Sequence, residues 1–464
     1  MTNFVIQDKQ QRNYNTNFCQ PQIMSIKFRR LIYLSFFLIF AIAAPLIVLY
    51  TTGYRYNFQK GRVEQVGVLF LNIKPKNAAL FLNGTVLSSD KRPLRLAELR
   101  PNFYQVRAEK DGFYSWEKNL EVKSKSSTLA FDIVLFKKSS PMIFSQNTAD
   151  SFALSPRDKY MAYSNQGKIY LKNIKDEKEK LIFETAYLPT EFVWAKDESA
   201  FLIKQPGKIW AAEITGTPKI SDLSIIAKRQ IDAANFSEDT ATVYGLADKD
   251  ILSLSLETKT YKKLVSGVDN FSFTDDNLFF IKNDAAGSHI FKYSIFSKIF
   301  DINTELARLP LAAYEIGEAK NNYLTIFGKN NDIYLINLSI AKQPILKLNG
   351  SFAKWGQDDK NNFLYFFDSS ELLTFDPKIR RTNMIARFEE NLKTVEPIYN
   401  TLYFAEQINN SLFISEIDDR DKRQTMKIFS GRDLKNIAVD SDGKKIYFID
   451  RLKNGQEILA LEIQ

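Results

Sequence analysis

A unit of about 40 residues recurs through positions 140–464, and this recurrence restricts the fold more than any other property of the chain. Each unit reads as an apolar strand, a polar turn rich in Asp, Lys and Asn, a second strand, a short Gly/Asn loop and a third strand. Leu154-Ser-Pro-Arg-Asp-Lys-Tyr-Met-Ala-Tyr163 aligns with Trp194-Ala-Lys-Asp-Glu-Ser-Ala-Phe-Leu-Ile203 and with Val439-Asp-Ser-Asp-Gly-Lys-Lys-Ile-Tyr-Phe448. The third strands align too: Lys168–Ile174, Lys208–Ile214 and Asp332–Leu338. Equivalent positions are Leu154, Trp194, Phe236, Phe273, Ile316, Trp355, Ile398 and Val439, spaced 40, 42, 37, 43, 39, 43 and 41 residues apart. Fourth strands are expected at Lys180–Phe183, Leu223–Ile226, Tyr261–Leu264 and Met426–Phe429. The units at Ile316 and Ile398 are weakest, carried mainly by Tyr323-Leu-Thr-Ile326 and Leu402-Tyr-Phe404.

Four strands in about 40 residues is the pattern of a β-propeller blade. The last unit shows three strands before Gln464, and a spare strand, Pro141-Met-Ile-Phe-Ser145, precedes the first. Lending that strand to the last unit closes a ring and removes two sheet edges that would otherwise template aggregation. The chain is therefore expected to be all-β, with an eight-bladed propeller over residues 140–464. Seven blades follow if one weak unit is not a blade, and an open solenoid is disfavoured because the two ends complement each other. The spacing resembles that of TolB-like and WD-type propellers. Neither the Trp-Asp and Gly-His of WD repeats nor the Ser-x-Asp-x-Gly-x-Thr-Trp box of sialidases is present, so the resemblance implies architecture alone.

Ahead of the repeats, Leu31–Tyr50 is an uncharged run in which 13 of 20 residues are Leu, Ile, Phe or Val. As a helix it reaches about 30 Å, the thickness of a hydrocarbon core. Each such residue favours insertion by roughly 0.3–0.6 kcal/mol near the bilayer centre, and Pro45 is tolerated there. Five basic residues (Lys9, Arg12, Lys27, Arg29, Arg30) precede it against Asp8 alone. The excess of positive charge predicts a cytoplasmic N-terminus and extracytoplasmic C-terminal domains on a single-pass cell-membrane protein of bacterial type. Residues 1–30 are read as a disordered cytoplasmic stub and 31–50 as the transmembrane helix, with Met24 an alternative start. A cleaved signal peptide is the rival reading. Ala41-Ile42-Ala43 resembles a cleavage site, but the apolar run continues through Leu46–Leu49. The one cysteine, Cys19, precedes the run, so it is no lipoprotein cysteine and no disulfide framework exists beyond it. The net charge of +9 is spread among interspersed acids, with no dense basic block, so nucleic acid is not an expected partner.

Between the apolar run and the repeats, residues 66–137 alternate as short strands: Val68–Ile73, Ala79–Leu82, Phe103–Ala108, Trp116–Val122 and Thr128–Leu135. Asn83-Gly84 suits a tight hairpin and Asp111-Gly112 a second turn. This predicts a small β-sandwich. Pro75-Lys76-Asn77-Ala78, Leu80-Phe81-Leu82-Asn83-Gly84, Pro93, Leu99, Pro101, Tyr104-Gln105-Val106 and Gly112-Phe113-Tyr114-Ser115-Trp116 together resemble the PEGA domain. The sequence departs from it at Lys76-Asn77, where the family's Glu-Gly stands, and at Asn102, where glycine is usual. The resemblance covers about 70 of 464 residues and implies an extracytoplasmic β module of surface or envelope proteins, with no enzymatic residues.

Chemistry is sparse. His289 is the only histidine and is expected as an exposed residue of the loop Asp284–His289. No nucleophile elbow, phosphate-binding loop or dinucleotide fingerprint occurs, and neither a metal nor another cofactor is expected. Asp275-Asp276, Asp358-Asp359 and Asp418-Asp419 fall in inter-strand turns, where Asp bonds local backbone. Second-to-third-strand loops gather on one face of a propeller, so partner-binding residues are expected among Asn165, Gln166, Gln205, Asn283, His289, Lys329, Asn330 and Asn409. The function these features suggest is a non-enzymatic envelope scaffold that binds a protein or a cell-wall polysaccharide. The alternative is a carboxylate-dependent glycosidase or lyase with its site in the propeller channel, marked by carboxylates converging about 5–10 Å apart.

Overall fold

The computed structural model describes residues 25–58, 61–88, 91–237, 240–274, 277–294, 304–339, 345–350, 352–356, 363–368, 370–387, 392–398, 403–416, 418 and 420–464. Cys19, Leu402, Asp419 and the pairs Asp275-Asp276 and Asp358-Asp359 lie outside them. The chain forms two compact units. One falls within Met1–Phe70, Arg95–Phe103 and Glu121–Leu129, and the other comprises Leu71–Leu94, Tyr104–Leu120 and Ala130–Gln464.

The first unit carries helix α1 (Ile26–Thr51), which begins five residues before the apolar run and takes in Lys27, Arg29 and Arg30. Ser25 caps its start by accepting from the Phe28 N–H. Not one residue of the helix is buried, and its most apolar window has a mean hydropathy of 2.6. Its last carbonyls are closed off locally. Thr52 Oγ1 donates to Val48 O at 2.7 Å, Gly53 N to Tyr50 O at 3.2 Å and Arg55 Nη1 to Tyr50 O at 2.8 Å. Gly53, at φ +84°, makes the left-handed turn that ends many helices. A hairpin of β1 (Tyr54–Asn57) and β2 (Arg62–Gln65) follows, and Val66 N donates back to Gly53 O at 2.8 Å.

Strands β3 (Gly67–Lys74), β4 (Ala79–Leu82), β5 (Thr85–Val86), β6 (Leu94–Leu99), β7 (Asn102–Glu109), β8 (Trp116–Val122) and β9 (Ser127–Val134) make two sheets, ordered β6-β3-β9 and β5-β4-β7-β8. Alternate residues are buried along β3 and β8, as the period-two apolar pattern requires. Asn83 and Gly84 both take positive φ and join β4 to β5 in the two-residue turn expected from their sequence.

The second unit contains the ring. Among the described residues of 140–464 there are eight four-stranded antiparallel sheets, settling eight blades over seven. Their first strands are Ser151–Leu154, Glu191–Trp194, Ala233–Phe236, Asn270–Thr274, Glu315–Lys320, Phe352–Trp355, Leu392–Ile398 and Lys435–Val439. The units at Ile316 and Ile398 are full blades. Strand β10 (Met142–Ile143) completes the eighth, pairing with Ala460 and Leu459 of the strand Gly455–Glu462. Phe144 N extends the pairing to Ile458 O at 2.8 Å. Blades stack through mixed cores: Phe152 and Tyr163 of the first meet Tyr447 and Ile458 of the eighth. Fully burying such a side chain contributes roughly 1.5–3 kcal/mol, so the seam is closed mainly by apolar surface.

One expected strand is helical. Leu223–Ala227 forms a short helix after the strand Lys219–Asp222. Asp222 caps it by accepting from Ser224 N at 2.8 Å, and Leu223, Ile226 and Ala227 are buried while Ile225 is exposed. That spacing matches a helix, and the capping aspartate wins over the β preference of two isoleucines.

Candidate functional site

The expected loop residues separate into exposed and structural groups. Gln166, Asn283, Lys329, Asn330 and Asn409 are exposed at second-to-third-strand turns of the first, fourth, fifth and seventh blades. Asn165 is half-buried and accepts from Thr148 Oγ1 at 3.0 Å. Gln205 is only 5% exposed, which removes it from the binding set. Its Oε1 accepts from Thr185 at 2.9 Å and its Nε2 donates to Tyr187 O at 2.6 Å, so it ties a turn to the next inter-blade connection. Gly167 does similar work: it sits at φ +83°, and a Cβ there would lie 2.2 Å from Thr185 O.

His289 is not the exposed loop residue expected. The turn it was assigned to is shorter, because Asn283 pairs with Ser288 and Lys282 with His289 in a continuous ladder. The imidazole is 10% exposed and bridges two carboxylates, with Nδ1 2.8 Å from Glu305 Oε1 and Nε2 3.1 Å from Asp284 Oδ1. The Ala286 N–H, then His289, hold the Asp284 carboxyl below its usual range. A cross-strand histidine with both ring nitrogens engaged reads as a fastener of the fourth blade.

Two turn acids fasten neighbouring blades. Glu198 Oε1 of the second blade accepts from Ser155 Oγ at 2.5 Å and Arg157 N at 2.6 Å of the first. Asp158 of the first accepts from Ser441 N of the eighth at 2.5 Å. Asp440 instead bonds its own turn, through Lys444 N and Lys445 N. Burial raises both Asp158 and Asp440, and neighbouring carboxylates add to the effect. At the opposite strand ends, Asp150 accepts from Gln166 N at 2.6 Å and Asp269 from Asn283 N at 2.8 Å. The innermost-strand carboxylate Glu396 pairs with Lys354 at 2.6 Å. These acids are committed to holding backbone, a serine hydroxyl or lysine.

The most elaborate polar construction joins β8 to the seventh blade. Lys118 Nζ has no exposure and lies 2.8 Å from Glu416 Oε1, itself 2% exposed. It also donates to Asp418 O and Arg420 O at 2.9 Å each. Trp116 Nε1 and Gln424 N donate to the same carboxylate at 3.2 and 2.8 Å. Burial pushes the Glu416 carboxyl up, with Lys118 the main opposing influence. Burial would also raise Asp418, but hydrogen bonds from Arg420 outweigh it and hold that group low. Beside this knot opens a cleft of about 580 Å³, lined by Tyr114, Glu117, Lys138, Asp421, Lys422 and Arg423 among others. Its volume is that of an ordinary ligand site, and it combines an aromatic face with charges of both signs. The sequence does not point to it, since Asp111-Gly112 reads as a turn and Asp418-Asp419 as local backbone binders. The dibasic Lys422-Arg423 was the available signal.

No protein-family model matches the chain, and no curated protein matches it. Among solved structures it is similar to the Dos1 propeller, at 8% identity and a TM-score of 0.51 over 70% of this chain and 94% of that one. It is also similar to a eukaryotic initiation factor, at 13% identity and a TM-score of 0.47 over 71% and 90%. A third is the β-propeller domain of Myceliophteria thermophila Cps50 (Swd1), at 8% identity and a TM-score of 0.45 over 70% and 100%. The likeness to the Dos1 propeller agrees with the propeller described above, and it concerns the fold alone. The chain is thus a β-propeller protein, and among the described residues one helix before the propeller is long and apolar enough to cross a membrane.

Proposed function

We infer that the chain is a single-pass membrane scaffold of the bacterial cell envelope. Its N-terminus is cytoplasmic, and its PEGA-like module and propeller are extracytoplasmic. It performs no chemistry, and it grips an envelope protein or a wall polysaccharide. The observation that carries the reading is α1: 26 residues, none buried, with its final carbonyls already satisfied by Thr52, Gly53 and Arg55. Such a helix exposed to water is unfavourable, whereas in a bilayer its closed backbone and bare apolar surface are both satisfied. Tethering holds the ring near envelope partners and raises their effective concentration. Binding is assigned to the exposed turns at Gln166, Asn283, Lys329, Asn330 and Asn409 and to the cleft at Tyr114.

The test has two stages. Membranes carrying the full chain are washed with alkaline carbonate, and intact cells are treated with protease. Retention in the pellet with digestion from outside supports the reading, and release by carbonate or protection in intact cells overturns it. In-cell crosslinking then compares wild type with Tyr114→Ala/Lys422→Gln and with Gln166→Ala/Asn409→Ala. An unchanged set of crosslinked envelope species in both variants removes these surfaces as the binding face.

A further inference from the structure

A second cleft, of about 600 Å³, opens within the first unit at the end of α1. Its lining runs from Tyr50–Gly53 through Arg55 to the start of β3, Arg95 and Glu98 of β6, Lys125 and Ser126 of the turn between β8 and β9, and Ser127 at the start of β9. Three cations face one carboxylate there. Arg55 is committed: it bonds Tyr50 O and Tyr54 O, pairs with Glu98 at 2.9 Å and lies 3.8 Å over the Tyr50 ring. Arg95 and Lys125 are different. Both are exposed, and among the described residues neither side chain makes a hydrogen bond or an ion pair. The Lys125 amine has only the Tyr54 ring nearby, at 5.7 Å. Arg95 alternates with the buried Leu94, which directs it to the open face of β6. Gly67 lets the Lys125 turn approach, since a Cβ there would meet Lys123 O at 2.3 Å.

The position of these charges is fixed by the helix. The apolar run ends at Tyr50, so a bilayer matching its roughly 30 Å ends at the lip of the cleft. The cleft therefore opens at headgroup depth. We propose that it is a receptor for the phosphodiester of an anionic phospholipid headgroup, with Arg95 and Lys125 as the two cations and the Ser127 hydroxyl as a further donor. The proposal rests on α1 being a membrane anchor. A cationic pair at this depth favours an anionic lipid over a zwitterionic one, and each cation is worth about fivefold in affinity. Headgroup binding would fix the tilt of the first unit on the membrane surface, because Arg55 and Gly53 already lock it to the helix end.

The full chain in dodecyl maltoside is titrated with dihexanoyl-phosphatidylglycerol, dihexanoyl-phosphatidylcholine or inorganic phosphate, reading the thermal unfolding midpoint. Wild type is expected to rise with phosphatidylglycerol, little with phosphatidylcholine and little with phosphate. Arg95→Gln/Lys125→Gln is expected to need about 25-fold more phosphatidylglycerol for the same rise. Lys123→Gln, which removes a charge from the same turn outside the cleft, should respond as wild type. Equal responses in the double variant and wild type, or equal responses to the two lipids, overturn the proposal. Phosphate reproducing the whole rise assigns the cleft to a free anion and overturns the lipid assignment. Release of the chain by alkaline carbonate defeats the anchor reading itself, whereas a retained chain with a flat titration defeats only the headgroup site.

Discussion

Lys118 offers the sharpest test of how β8 is held. Lys118→Met keeps most of the stem volume and deletes the charge. Glu416 then remains 2% exposed with only Trp116 Nε1 and Gln424 N as donors, and the carbonyls of Asp418 and Arg420 lose their shared amine. Removing one partner of a buried pair costs about 3–5 kcal/mol. A unit this large shifts its midpoint by roughly 1–2 °C per kcal/mol, so a fall of about 3–10 °C is expected in thermal unfolding of the full chain in detergent. Lys118→Met/Glu416→Leu removes both charges and should recover most of the loss. The pH dependence has a definite sign. Burial already raises the Glu416 carboxyl above its usual 4.5, and losing Lys118 raises it further. A raised folded-state value means stability is fully present below the unfolded value and is lost as pH rises through the folded one. The deficit of Lys118→Met should therefore be smallest near pH 4 and grow toward neutrality. A single variant within about 1 kcal/mol of wild type, or a double variant no better than the single, refutes the argument.

Other sites give simpler expectations. Phe144 lies edge-on to Tyr447 at 5.1 Å with Lys172 over its face, so Phe144→Ala should cost about 2–3 kcal/mol and speed proteolysis between residues 138 and 150. Asp158 is raised by burial, so wild-type stability falls as pH rises from the usual 3.8 through its folded value. Asp158→Asn keeps an acceptor for Ser441 N, and its unfolding midpoint relative to wild type should improve from pH 4 to pH 7. Gly167→Ala forces a side chain into φ +83° against the Thr185 carbonyl and should lower stability by about 1–3 kcal/mol or more in urea titration.

Repetition made the ring legible, because eight equivalent positions from Leu154 to Val439 fall in eight first strands. Strand arithmetic found β10, since a closed sheet needs a partner for the strand Gly455–Glu462. What escaped was tertiary. Leu223–Ile226 looked like a strand because its apolar content fits either structure, and only the Asp222 cap and the burial pattern separate them. His289 and Gln205 looked like loop residues because two-residue turns are shorter than the polar stretches that contain them. Lys118, nearly three hundred residues from Glu416, carries no local signal: in β8 it alternates as any residue facing a small sheet would. The Arg95 and Lys125 pair was hidden for the same reason, because only the folded β6 and the β8–β9 turn bring them to one cleft.

The latch made by β10 also sets a clock for biosynthesis. A ribosome delivers Met142–Ile143 roughly 320 residues before their mates, which at about 5–20 residues per second is roughly 15–60 s. Throughout that interval the face of the first blade that meets the eighth, with Phe152 and Tyr163, stays bare to whatever surrounds the emerging polypeptide. The delay in covering that face is thus a property of the wiring rather than of any one residue.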